Sequence, residues 1–100
     1  MTFAELKRSL TRRRPPGGAS PALEALWWAA KDKWDTAHKL VMDEGGTDCA
    51  RVHAYLHRVE GDPENARYWY RAAKVQPAVG PFEAEWAAIA RDLLAKMAAR

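Results

Sequence analysis

The stretch HAYLHRVE, residues 53 to 60, sets His53 and His57 four residues apart, with Glu60 three further on. On a helix that spacing brings all three to neighbouring turns of one side, and His38, upstream on another helix, can add a further imidazole. Imidazoles with a carboxylate are ligands for zinc, copper or iron, and the same groups can move protons near neutral pH. A zinc-peptidase helix needs Glu directly after its first His, as the general base beside the metal, and Ala54 stands there instead. At about 100° per residue, Cys49, Val52, Leu56 and Val59 define the core direction of this helix. Glu60 and His53 then lie at its border and His57 beyond it. Border histidines usually pair with a carboxylate or a carbonyl, so the first expectation is structural histidines without a metal or other cofactor. A metal or acid–base site built from His38, His53, His57 and Glu60 is the alternative. Cys49 falls on the core side, as an inert buried thiol rather than a nucleophile.

These groups need helices to hold them, and the pattern supplies a series. Ser20 is a good N-cap and Pro21 suits the first helical position, ahead of an apolar face of Leu23, Leu26, Trp27 and Ala30. Asp32 can cap a second helix carrying Trp34, Ala37, Leu40 and Val41, ended by Gly45-Gly46. Thr47 or Asp48 starts a third helix, with Val52, Tyr55, Leu56 and Val59 inward, and Gly61 stops it. Asp62-Pro63 opens a fourth, with Ala66, Trp69, Tyr70 and Ala73 on one side. After Gly80-Pro81, a last helix keeps Phe82, Trp86, Ile89, Ala90, Leu93, Leu94 and Met97 on one face. Its acidic Glu83 and Glu85 come early and its basic Lys96 and Arg100 late, as the helix dipole prefers. The first helix pair matches the second at one fixed offset, Leu23 falling on Val52 and Val41 on Tyr70. Repeated helical hairpins cannot bury their faces alone, so stacking and a terminal cap are expected.

Composition limits the partners. The chain has 100 residues, 48% of them hydrophobic, with five tryptophans, which suits one small packed domain. Its net charge of +3 is uneven. Residues 1–20 hold Lys7, Arg8, Arg12, Arg13 and Arg14 against Glu5 alone, while the remainder carries 11 basic and 12 acidic groups. The basic character therefore belongs to residues 1–19, where Phe3, Leu6 and Leu10 can form a helical turn or two before RRRPPGG breaks it. This segment is expected to be a flexible arm, dispensable for folding, and the only hint of nucleic-acid binding. The single cysteine precludes an internal disulfide and fits a reducing compartment. No apolar run reaches the roughly 20 residues of a membrane span, and no secretion signal is visible, so the expected location is cytoplasmic.

Residues 54 to 77, with Ala54, Gly61, Ala66, Tyr70, Ala73 and Pro77, resemble a tetratricopeptide repeat. The resemblance implies paired helices in close approach at Ala54 and Ala66, with Tyr70 filling the gap. It also implies that Arg51, Tyr55 and Arg58, on one edge of the third helix, face a concave ligand groove, where guanidinium forks suit carboxylates. The sequence His57-Arg58-x-Glu60-Gly61-Asp62, followed by Asn65-Ala66-Arg67-Tyr68-Trp69-Tyr70, also looks like a group of short bacterial proteins with no established activity.

The expected fold is thus all-α: two antiparallel helical hairpins, tetratricopeptide-like, plus a C-terminal capping helix over residues 20–100. The expected function is a small, non-catalytic protein-interaction module binding at Arg51, Tyr55 and Arg58 a protein or peptide with an acidic tail. Self-association is expected as well, through an aromatic patch that includes Trp28. The basic strip Arg67, Arg71 and Lys74 lacks any recognition signature and is expected to be a solvated face.

Overall fold

A computed structural model describes residues 1–99 and is all-α, with six helices and no strand among them. They are α1 (Phe3–Ser9), α2 (Pro21–Ala30), α3 (Trp34–Asp43), α4 (Thr47–Glu60), α5 (Pro63–Ala73) and α6 (Phe82–Ala98). Arg100, expected near the end of α6, lies outside the described residues.

Two helix starts follow directly from local chemistry. The Ser20 side chain accepts from the Leu23 N–H at 3.2 Å and that of Asp62 from the Asn65 N–H at 3.2 Å, each with proline next in the chain. Gly61, at φ 90°, turns the chain between α4 and α5, a conformation that costs a residue with a Cβ. Two expected signals work differently. Asp32 does not cap α3: it occupies the turn itself at φ 59°, and the Lys33 N–H closes that turn on the Trp28 carbonyl at 3.0 Å. Gly46, at φ 100°, is the N-cap of α4 rather than the end of α3, which stops at Asp43.

The closest pairings join α4 to α5 and α2 to α3. Ala54 and Ala66 are buried at the first of these contacts with Tyr70. The main core is built across elements, from Leu23, Leu26 and Trp27 of α2, Val52 and Leu56 of α4, and Trp86, Ile89, Ala90 and Leu93 of α6. The Trp86 Nε1–H donates to the Leu26 carbonyl at 2.8 Å, so this ring is buried without an orphaned donor.

The N-terminal segment corrects the arm expectation. Thr2 and Glu5 cap α1 reciprocally, Leu6 is fully buried, and Phe3 meets the Trp86 ring edge-on at 6.1 Å. The Trp27 Nε1–H donates to Ser9 Oγ at 3.0 Å, and Lys31 Nζ donates to the carbonyls of Leu10 and Arg12 at 2.5 and 2.8 Å. Residues 3–10 are therefore part of the packed body. The charge run Arg12, Arg13 and Arg14 stays exposed. Trp28, expected in an exposed patch, is half-buried against Trp27 at 4.9 Å, whereas Val59, expected in the core, is 38% exposed.

Candidate metal centre

Three helices bring their aromatic groups to one place. Trp34 and His38 are one turn apart on α3, His53 and His57 one turn apart on α4, and Trp69 faces them from α5. The Trp34 Nε1–H donates to the Leu56 carbonyl at 2.8 Å, anchoring α3 on α4. Trp34 then stacks on His38 at 4.6 Å, and Trp69 stacks on His53 at 3.9 Å with 13° between planes. The three imidazoles are held between two indoles.

His53 is 3% exposed and His57 6%, deeper than a border position on α4 alone implies, because α3 and α5 cover that border. One ring nitrogen from each of His38, His53 and His57 lies within 4.8 Å of the others. His38 Nε2 and His53 Nε2 are 3.0 Å apart. Tetrahedral zinc, with Zn–N of about 2.0–2.1 Å, needs nitrogens about 3.3 Å from one another, close to the separation of the His38 and His53 nitrogens. The His57 Nδ1–H donates to Glu60 Oε1 at 2.5 Å. That bond leaves the lone pair of His57 on Nε2, and carboxylate–histidine pairs of this kind orient imidazoles in metal sites. His53 Nδ1 is buried without a hydrogen-bond partner. Glu60 and Asp62 form a second group with His57, but Asp62 is committed to capping α5. The imidazoles open on a concavity of about 410 Å³ lined by His38, Met42, His53, His57, Asn65 and Trp69.

The electrostatics favour uncharged rings at His53 and His38. Burial, with help from His38 and His57, pushes His53 down to about 4, and burial likewise lowers His38. Neutral imidazoles keep the lone pairs that a metal requires. They also make the metal-free protein acid-sensitive. Below about pH 6.5 an unfolded chain protonates His53 while the folded chain does not, so the unfolded state binds more protons and stability falls with pH. The loss runs from about pH 6.5 to about 4 and stops once the folded form also protonates. With a chelator present, His53 alone should remove about 3 kcal/mol over that window. Urea titrations at successive pH values should show the slope in wild type and a smaller one in His53→Gln. An equal slope in both would assign the acid sensitivity elsewhere.

Arg51 and Tyr55 line two different concavities, Arg51 beside Tyr70 and Glu85 and Tyr55 beside Phe3 and Phe82, and both arginines of this edge are paired within the chain. Arg51 pairs with Asp92 at 2.7 Å, and Arg58 with Glu85 at 3.0 Å. Arg58 also donates to the Gly80 carbonyl and lies over the Phe82 ring at 4.8 Å. Tyr55 is buried, which pushes its hydroxyl up to about 12, with Glu85 and Glu83 adding to the rise. This edge of α4 is covered by α6 and the segment leading into it, because Glu85, Asp92 and the Gly80 carbonyl answer its charges. Cys49 is buried, its thiol raised by burial, and stands outside the ligand groups found among the described residues.

Met42, Asn65 and Trp69, which line the concavity, and Trp34, which stacks on His38, are the site residues that sequence reasoning missed. A usable signal existed for two of them: Trp34, His38 and Met42 recur at four-residue spacing on one side of α3. Comparison with protein-family models, with curated proteins and with solved structures finds no match for this chain.

Proposed function

We propose that the protein is a small transition-metal-binding protein whose ligands are His38, His53 and His57, with Glu60 orienting His57 from behind. The observation that carries this reading is the convergence of one nitrogen from each of His53 and His57, buried on α4, and His38, half-buried on α3, within 4.8 Å. A purely structural cluster would be expected to satisfy its buried polar atoms. His53 Nδ1 has no partner, although its Nε2 shares a hydrogen bond with His38 Nε2. An all-nitrogen set suits zinc, copper, nickel or cobalt rather than calcium or magnesium, which take oxygen ligands. The protein-interaction reading has less behind it, since Arg51 and Arg58 are paired within the chain and Tyr55 is buried.

The test is metal content and affinity of the purified chain. One metal ion per chain is expected, with cobalt(II) giving the visible absorption of a tetrahedral site. His53→Ala and His57→Ala should each abolish stoichiometric binding. Glu60→Gln should weaken it by about 10- to 100-fold, the usual effect of losing the partner behind a ligating histidine. Metal at a hundred times its dissociation constant should stabilise the wild type by about 2.7 kcal/mol. Wild-type protein that binds no zinc, copper, nickel or cobalt would refute the reading.

A further inference from the structure

Resting on that metal-binding reading, we infer that the site is built for copper(I), with Met42 as the fourth ligand closing the three-histidine set from the solvent side. Met42 follows His38 by one helical turn on α3, and the two line the same concavity with His53 and His57. Its exposure stands out among the apolar residues of its own helix. Ala37 and Val41 of α3 are buried at 0% and 3%, whereas Met42 is 61% exposed at the mouth above the imidazoles. Methionine is unbranched and flexible, so its sulfur can swing over the mouth with little backbone adjustment.

The chemistry of the lining selects among metals. Its six residues offer three imidazoles, one thioether, one amide and one indole face, with no carboxylate and no thiolate. A neutral donor set in a largely buried place offsets a single positive charge more readily than a double one, because burying charge without anionic ligands is costly. Glu60 supplies one negative charge through His57, which balances a monovalent ion. Thioether sulfur is a soft ligand that prefers copper(I), and the Trp69 face beside the site adds a further attraction for a cation. Zinc with water in the fourth position is the competing arrangement. It would not depend on Met42.

The experiment uses the full chain without oxygen, with a chromophoric chelator competing for copper(I) and a second one for zinc(II). Wild type and Met42→Leu are compared; leucine has similar size, and the exposed position makes no demand on the fold. The expected result is a loss of copper(I) affinity of about tenfold or more in Met42→Leu, with zinc affinity unchanged within about twofold. X-ray absorption of the copper(I) form should show a sulfur scatterer in wild type that the variant lacks. Equal copper(I) affinity in the two proteins, or a wild-type copper(I) spectrum without sulfur, overturns the assignment of Met42 while leaving the three-histidine site standing. Wild-type protein that takes up neither metal overturns the copper(I) assignment, and one that also refuses copper(II), nickel and cobalt overturns the three-histidine site with it.

Discussion

Arg58→Ala should cost the folded state about 3 to 5 kcal/mol, the range for stripping one partner from a buried ion pair. The Arg58 side chain is 19% exposed and that of Glu85 5%, so removing the guanidinium leaves a carboxylate in a place that water reaches poorly. Glu85 would retain only the hydroxyl of Tyr70, which burial and this same carboxylate already hold far toward its protonated form. The Gly80 carbonyl and the Phe82 ring lose their contacts with Arg58 together with Glu85, which loosens the entry to α6. A domain of this size has roughly 5–15 kcal/mol in all, so the variant should be close to unfolding at physiological temperature. Arg51→Ala is the matched control. Its partner Asp92 is 62% exposed, and an exposed pair is worth about 1 kcal/mol or less. Urea denaturation of both variants checks the difference, and an Arg58→Ala cost no larger than that of Arg51→Ala would show that Glu85 is rehydrated at little expense.

Leu6→Ala should be similarly damaging, at about 3 to 5 kcal/mol, the range for truncating a fully buried leucine where the surroundings cannot collapse. The seven-residue α1 is too short to persist as an isolated helix, so its docking and its helicity stand or fall together. If α1 detaches, the Trp27 indole N–H loses its Ser9 partner and the Trp86 ring loses the edge contact of Phe3. Deleting residues 1–10 should therefore lower Tm by at least about 10 °C, at roughly 4–8 °C per kcal/mol. Alanine at Arg12, Arg13 and Arg14 together should leave Tm nearly unchanged, because these side chains are exposed. A truncated protein melting within about 2 °C of wild type would make the N-terminal helix an accessory after all.

What the sequence by itself determined is what depends on neighbours along the chain. Ser20-Pro21, Asp62-Pro63 and Gly61 mark helix ends through contacts spanning three or four residues, and the apolar spacing of Leu23, Leu26, Trp27, Val52 and Leu56 names their buried faces. The all-α class and the helical order from Ser20 onward were legible for that reason, as was the placing of His53, His57 and Glu60 on one helix. Even there, local rules misplace two turns: Asp32 occupies the turn before α3 rather than capping it, and Gly46 caps α4 rather than ending α3. Tertiary structure alone decided which faces meet. That His38 reaches His53 across 15 residues, that Arg51 finds Asp92 across 41, and that Trp27 receives Ser9 from the supposed arm are outcomes of packing between distant segments. Helical periodicity states that a face is apolar or charged; it carries no information about which other helix will cover it. The packing that paired the arginines of the Arg51–Tyr55–Arg58 edge left the histidine face open to a concavity, because α6 carries Glu85 and Asp92 to answer arginines while α3 and α5 bring indoles, a further imidazole, Met42 and Asn65 to the histidines.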